Sequence, residues 1–308
     1  MTRHFLTGEE LTGDELNALV ERALELKADR LGSRTLEGKS VALVFERPST
    51  RTRVSFQVGV AELGGNPLVL REGELQLERG ESIRDTALVL SRYVHAIGVR
   101  TGPQATLEEL AAYATVPVIN MLTYEHHPCQ VLADLVTLRE LFGRLEGVKL
   151  AYVGDGNNMA RSLVLLGGAA GVEVAVASPP ELALPDGPNA ELDEAVAGAD
   201  AIYTDVWVSM GDEQDAQRRR ELLAPYRIDE QLLKRAGNGA VALHCLPAHA
   251  GEGDQRGSAL RRAVRRLGPG REQAARPEGP ARAAPRRVSV IRAQPAEPAA
   301  CGVRAESP

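Results

Sequence analysis

The chain has 308 residues, of which 44% are hydrophobic and 25% are charged, a composition that is ordinary for a soluble globular protein and a length that suggests two domains. Its formal net charge of −6 argues against nucleic acid as a partner, and the lack of a long apolar run or a signal-peptide pattern argues against a membrane. The three cysteines, Cys129, Cys245 and Cys301, form no C-x-x-C pair, which argues against a disulfide framework or structural zinc and predicts a reducing cytoplasm.

Apolar runs and helical spacing alternate along the chain. The pattern predicts strands over residues 41–45, 68–70, 95–100, 116–120, 149–153, 172–176, 201–204 and 240–243. It predicts helices over residues 14–30, 54–64, from 81 onwards, 106–114, 131–142 and 160–170. Such alternation indicates an α/β fold of two doubly wound parallel-sheet domains, with helices on both faces and a ligand cleft between the domains.

Composition and spacing also suggest the domain boundaries. We place a first domain at residues 1–130, a linking helix at 131–147, a second domain at 148–250 and an atypical tail at 251–308. The tail is rich in Arg, Ala, Pro and Gly, and it contains 12 Arg, no Lys, 6 acidic residues and no aromatic residue. Because such a segment cannot bury much apolar surface, we expect it to be disordered.

The most informative segment is Ser49-Thr50-Arg51-Thr52-Arg53, between the first predicted strand and its helix. Ser and Thr hydroxyls cap helix N-termini, whose free N–H groups and dipole attract anions. Arg47, Arg51 and Arg53 add guanidinium groups whose forked donors fit phosphate or carboxylate. We interpret the segment as an oxyanion site; the alternative is a capped surface helix with solvated arginines.

Polar residues also follow the carboxyl ends of other predicted strands. They are Arg100, His127, Asn158, Asp205 and Cys245. Ligands of open α/β sheets bind beyond these ends, so we expect one cleft between the domains.

Two motifs suggest other chemistry. Gly154-x-Gly156-x-x-Met159 resembles a dinucleotide-binding turn, as in a nucleotide-dependent oxidoreductase. However, it lacks the third glycine and the acidic residue after the next strand. His126-His127 could indicate a metal, but adjacent histidines often point apart and no second ligand cluster completes a tetrahedral set.

His244-Cys245-Leu246-Pro247 suggests a third alternative, a cysteine nucleophile activated by histidine. Neighbouring residues at a strand end face opposite ways, so His244 and Cys245 are expected to point apart. A small buried thiol is therefore the favoured interpretation.

Ser49-Thr50-Arg51-Thr52-Arg53 is similar to the carbamoyl phosphate motif of the aspartate/ornithine carbamoyltransferase family. The resemblance continues through Gln76 before Glu81-Ser82, through Arg100 and through His127-Pro128-Cys129-Gln130. Three later segments resemble the members that act on ornithine: residues 154–159, 205–211 and 244–247. In all, the resemblance spans residues 1 to about 249.

The resemblance implies transfer of the carbamoyl group from carbamoyl phosphate to the side-chain amine of L-ornithine, giving L-citrulline and phosphate without a metal or cofactor. The implied carbamoyl phosphate ligands are Ser49, Thr50, Arg51, Thr52, Arg100, His127, Gln130, Cys245 and Leu246, with Gln76 lent by a neighbouring subunit. The implied ornithine ligands are Asn158, Asp205, Ser209 and Met210. The residues expected to act in catalysis are Arg51, Arg100, His127, Asp205 and Cys245. Members of the family are trimers or assemblies of trimers, so we expect a cytoplasmic homotrimer of arginine metabolism.

The tail departs from the family pattern. Ala250 replaces the usual basic residue, and the Asn-Arg pair of the family ending is missing. If the coding sequence is read one base out of phase from the Arg266–Leu267 boundary, its permitted codons can give the sequence Gly-Ser-Asp-Gln-Ala-Gly-Asn-Arg-Leu-His-Ala-Gln-Lys-Ala-Leu. This sequence is similar to the family ending. We interpret the tail as frame-shifted. Two alternatives for the function of the chain stay open: transfer of the carbamoyl group to another amine, such as putrescine or an acylated ornithine, and an inactive relative that still binds anions.

Overall fold

Two parallel β-sheets organise the computed structural model, which describes residues 2–75, 80–208, 213–247 and 289–292. The first sheet has the order β2-β1-β3-β4 and contains β1 (Ser40–Phe45), β2 (Asn66–Arg71), β3 (Ala96–Arg100) and β4 (Val118–Leu122). The second has the order β6-β5-β7-β8-β9 and contains β5 (Lys149–Val153), β6 (Glu173–Ala177), β7 (Ala201–Thr204), β8 (Val241–His244) and β9 (Ser289–Arg292). Every pairing of named strands is parallel, which confirms the predicted fold class.

One helix precedes the first strand, and the others lie between successive strands. They are α1 (Gly13–Ala28), α2 (Thr50–Glu62), α3 (Ile83–Ser91), α4 (Gln104–Tyr113), α5 (Pro128–Phe142), α6 (Asn158–Ser162), α7 (Leu192–Val196), α8 (Ala216–Leu223) and α9 (Glu230–Arg235). Helix α6 continues into a π-helical turn at Leu163–Gly167. Within the described ranges, no helix has both the length and the apolar character that crossing a membrane requires.

The sheets are buried on both faces, as their nearly continuous apolar strands require. In β1, Leu43 belongs to one core cluster and its neighbours Ala42 and Val44 belong to another on the opposite face. In β5, Tyr152 and Ala151 are divided in the same way. Each sheet is therefore covered on both sides.

Helix α5 connects the two halves. Its first eleven residues, Pro128 to Leu138, are all buried, and several of them join a single core cluster that contains side chains from both sheets. The helix ends at Gly143, whose φ of 70° lies in the left-handed region that glycine adopts readily. A helix buried on all sides fixes the position of one sheet relative to the other.

The structure corrects several predicted bounds. Helix α5 begins at Pro128 rather than residue 131, because proline is favoured in the first helical turn. The predicted helix 160–170 is a short α-helix followed by a π-helical turn. Helices α7 to α9 were not predicted, since segments of five to eight residues carry little periodic signal.

Four residues of the tail belong to the second sheet. Ser289–Arg292 forms β9, which pairs with β8 through the register Val241↔Ser289 to His244↔Arg292. Val290 and Ile291 are β-branched residues that favour strands. The rest of residues 251–308 lies outside the described part of the chain, and there disorder stays a prediction.

Candidate active site

A cavity of about 970 Å³ lies where the carboxyl ends of the two sheets face each other. Its lining includes Ser49, Thr50, Arg51, Thr52, Arg100, His127, Gln130, Asn157, Asn158, Asp205, Cys245 and Leu246. Every described residue that the family resemblance implied as a ligand lies in this lining. Gln76, Ser209 and Met210 lie outside the described residues.

The N-terminus of α2 forms one wall of the cavity. Ser49 caps the helix: its Oγ accepts a hydrogen bond from the Thr52 backbone N at 3.4 Å and donates to Thr52 Oγ1 at 3.0 Å. The first turn of α2 contains no acidic residue, so no side chain of that turn offsets the positive end of the helix dipole. This wall is suited to an anion.

Two arginines face the same space. Arg100 ends β3, and burial together with the positive charge of Arg51 lowers its pKa to about 10, so it stays charged at neutral pH. Among the described residues, no carboxylate lies within ion-pair distance of Arg51 or Arg100. Two neighbouring guanidinium groups that no described carboxylate neutralises favour a bound anion.

The other two arginines of the segment contribute less. Arg47 lines the cavity, but its Nη2 donates to the Tyr124 hydroxyl at 2.5 Å and its guanidinium carbon lies 5.7 Å from the centroid of the same ring. Arg53 does not belong to the lining. Of the three arginines that the sequence suggested, only Arg51 is directed to this site without a competing partner among the described side chains.

His127 lies at the N-terminus of α5, where its backbone N donates to Ser162 Oγ at 2.8 Å. Desolvation and the nearby charge of Arg100 lower its pKa to about 3. The imidazole is therefore neutral near pH 7, and it can offer one N–H to a ligand oxygen without adding charge. Its Nδ1 has no hydrogen-bond partner among the described residues.

The opposite wall is organised around Asp205, which follows β7 and is buried. Its Oδ1 accepts hydrogen bonds from Val206 N at 2.7 Å and from Cys245 Sγ at 2.8 Å. Its Oδ2 accepts from Asn157 Nδ2 at 3.0 Å. A carboxylate held by three donors is fixed in place and supplies the negative end of the cavity.

The turn after β8 corrects one prediction. His244 and Cys245 do not point apart: the potential ligand atoms of Asp205, His244 and Cys245 all lie within 4.8 Å of one another. Extended geometry ends at this point, because Leu246 has a φ of 65° and its backbone N donates to His244 Nδ1 at 2.8 Å. Strand alternation therefore does not apply to Cys245.

The cluster is nevertheless unsuited to a thiolate. Burial and the adjacent Asp205 carboxylate raise the pKa of the Cys245 thiol. Both nucleophilic attack and metal ligation require the deprotonated sulfur. Cys245 acts as a hydrogen-bond donor to Asp205 instead.

Two side chains of the site escaped the sequence analysis. Asn157 caps α6, with its Oδ1 accepting from Met159 N at 2.9 Å, while its amide nitrogen supports Asp205. Arg219 of α8 donates to Asp155 Oδ2 at 2.7 Å at the cavity wall. An Asn before a helix is a recognisable capping signal, whereas nothing local links Arg219 to Asp155, which lies 64 positions earlier.

Comparison with known families agrees with this geometry. The family model described as "Aspartate/ornithine carbamoyltransferase, carbamoyl-P binding domain" matches residues 3–140. The model described as "Aspartate/ornithine carbamoyltransferase, Asp/Orn binding domain" matches residues 146–258. The chain belongs to the aspartate/ornithine carbamoyltransferase family. In this carbamoyltransferase the Gly154–Met159 turn falls within the second domain, which argues against a nicotinamide site.

Several individual relatives of the chain are ornithine carbamoyltransferases. The chain is 52% identical over 268 residues to the ornithine carbamoyltransferase of Parafrankia sp. (strain EAN1pec), covering 80% of this chain and 84% of the relative. It is 51% identical over 270 residues to that of Acidothermus cellulolyticus, covering 82% and 86%. The solved ornithine carbamoyltransferase of Pyrococcus furiosus superposes with a TM-score of 0.76 at 44% identity, covering 82% of this chain and 87% of that one.

Proposed function

We propose that this carbamoyltransferase moves the carbamoyl group of carbamoyl phosphate to the side-chain amine of L-ornithine, giving L-citrulline and phosphate. The proposal depends on one observation, which is that the two ends of the cavity differ in charge. Arg51 and Arg100 supply a cationic end that has no carboxylate partner in the described part of the chain, and Asp205 supplies a fixed anionic end. An anionic carbamoyl donor and a cationic amine acceptor match these two ends.

The phosphate would lie at the N-terminus of α2. Ser49, Thr50 and Thr52 offer hydroxyl and backbone N–H donors there, and Arg51 offers a charged fork. The same donors would stabilise the phosphate as it leaves, so they act in binding and in catalysis.

The carbonyl oxygen of the carbamoyl group would lie near Arg100 and His127. When the amine attacks, negative charge develops on this oxygen, and donors that are already in place stabilise it. Arg100 would supply a charged donor and His127 a neutral one. This arrangement requires neither a metal nor a cofactor.

The amine would approach from the Asp205 side, with Asn158, Cys245 and the Leu246 backbone around it. An alkyl ammonium has a pKa of about 10.4 in water, so presenting it as a neutral amine at pH 8 costs about 3 kcal/mol. Attack then forms the C–N bond, the C–O bond to phosphate breaks with its electron pair, and the proton lost by nitrogen passes to the phosphate. Asp205 would hold the amine in line for this step.

We further propose a cytoplasmic homotrimer, or an assembly of trimers, that serves arginine metabolism and amino-acid biosynthesis. Val54 and Val58 support an association surface, because they lie one turn apart on α2 and are 50% and 40% exposed. Gln76 of a neighbouring subunit would complete the phosphate end. The site uses Cys245 as a reduced thiol, which suits a reducing compartment.

The test is citrulline formation by the purified chain supplied with carbamoyl phosphate and ornithine. Putrescine and N-acetylornithine serve as competing acceptors, and turnover with either in preference to ornithine would replace the proposed substrate. Phosphate binding without turnover would favour the inactive relative. In that case, the same assay is repeated on a chain whose tail is encoded in the alternative reading frame. If that chain forms citrulline, residues 251–308 are the cause of the lost activity.

A further inference from the structure

A buried carboxyl group connects the cleft to the second sheet. Asp134 lies one turn after Gln130 on α5 and is 0% exposed. Its Oδ1 accepts a hydrogen bond from Gln130 Nε2 at 3.2 Å, and its Oδ2 accepts one from the Tyr203 hydroxyl at 2.9 Å. Tyr203 belongs to β7 and is also fully buried. The carboxyl group is therefore held between a side chain that lines the cavity and a side chain of the other sheet.

This contact decides the orientation of the Gln130 amide. A glutamine amide has a donor end and an acceptor end. Since Oδ1 of Asp134 accepts, the NH₂ end of Gln130 faces the carboxyl group, and its carbonyl oxygen Oε1 is available to the cavity. The reverse orientation would place two acceptor oxygens against each other in a buried site, which is costly.

Both hydrogen bonds to the carboxyl group require an acceptor oxygen, because the Tyr203 hydroxyl donates to Oδ2 and the Gln130 amide donates to Oδ1. Burial raises the pKa of Asp134, and the hydrogen bonds from Tyr203 and Gln130 oppose that shift. The orientation of the amide depends on Oδ1 alone.

We propose that Asp134 is a positioning residue that makes the site selective for a carbamoyl group by turning the Gln130 carbonyl oxygen toward the cavity. The carbamoyl group differs from an acetyl group of similar shape in carrying two N–H donors. A carbonyl oxygen at Gln130 accepts one of these donors, whereas an NH₂ group in its place would oppose them. This inference rests on the proposed function, since it assumes that carbamoyl phosphate occupies the cavity.

The deciding experiment compares three probes by calorimetric titration without ornithine: carbamoyl phosphate, acetyl phosphate and inorganic phosphate. Asp134→Leu removes both acceptor oxygens, so no group on α5 holds the NH₂ end of Gln130 away from the cavity. We expect the preference for carbamoyl phosphate over acetyl phosphate to fall by about tenfold or more, with inorganic phosphate bound as before. Equal weakening of all three probes would show a purely structural role and overturn the proposal.

Two further variants make the test specific. If Asp134 acts through Gln130, Asp134→Leu will cost no further selectivity in a Gln130→Ala background, and an additive loss would contradict the inference. Tyr203→Phe removes only the bond to Oδ2, so the preference should survive even if stability falls. A collapsed preference in Tyr203→Phe would contradict the inference without requiring Asp134→Leu to fold. A wild-type chain that fails to bind carbamoyl phosphate would overturn the proposed function as well. Normal wild-type turnover with an unchanged preference in Asp134→Leu would overturn this inference alone.

Discussion

Cys245 Sγ lies 2.8 Å from Asp205 Oδ1 and donates a hydrogen bond to it. The contact joins residues 40 positions apart, one after β7 and one after β8. It makes the cysteine a support for the carboxylate rather than a nucleophile, because the raised pKa of Cys245 keeps its proton in place.

The first prediction follows from this contact. Cys245→Ser keeps a hydrogen-bond donor beside Asp205, so we expect kcat for citrulline formation to stay within about tenfold of wild type. Cys245→Ala removes the donor and should raise the ornithine KM more than Cys245→Ser does. If Cys245 formed a covalent intermediate, both variants would lose activity together, and steady-state kinetics of the pair would show it.

A second prediction concerns the carboxylate itself. Asp205→Ala removes the negative end of the cavity, and we expect the ornithine KM to rise by about two orders of magnitude, in keeping with truncation of a buried charge partner. Binding of inorganic phosphate, measured by calorimetry, should change little, because the phosphate end is built from α2. Asp193→Ala is the matched control, since its side chain is 78% exposed and pairs with Arg235 away from the cavity. An unchanged ornithine KM in Asp205→Ala would remove Asp205 from the site.

A third prediction concerns stability at low pH. The pKa of His127 is about 3 in the folded chain and about 6.5 in a free histidine, so the unfolded state binds more protons between these values. Its contribution to stability is complete above pH 6.5 and is lost as the pH falls toward 3. Between these limits the loss is at most about 1.4 kcal/mol per pH unit. Denaturant unfolding of His127→Asn should show a shallower loss than wild type over this range.

The wild-type chain, unfolded under identical conditions, is the reference for that measurement. If His127→Asn and wild type lost stability in parallel below pH 6.5, His127 would not be held neutral by the fold.

The sequence was sufficient for the residues whose role depends on local position. Ser49 to Thr52 follow a strand and begin a helix, Arg100 ends a strand, and Asp205 follows one. Parallel-sheet topology alone therefore places them at the carboxyl edges of the two sheets. The carboxyl ends of both sheets then meet in a single cavity.

Other contacts could not be derived in this way. Asp134 and Tyr203 are 69 positions apart, and their hydrogen bond depends on how α5 packs between two sheets. Similarly, the potential ligand atoms of His244 and Cys245 lie within 4.8 Å of each other in a turn that includes a positive φ at Leu246, which local propensity disfavours for a leucine. Tertiary packing decides such contacts, and the hydrophobic pattern does not encode them.

The last prediction separates two roles of Asn157. Its Oδ1 caps α6, and its Nδ2 donates to Asp205. Asn157→Ala should lose both roles, lowering the unfolding free energy by about 1 kcal/mol and raising the ornithine KM. Asn157→Ser restores a capping oxygen but is too short to replace the amide donor, so we expect near-wild-type stability with a raised KM. Thermal unfolding and ornithine kinetics of the two variants measure these effects independently. A normal KM in Asn157→Ser would mean that Val206 and Cys245 alone hold Asp205 in place.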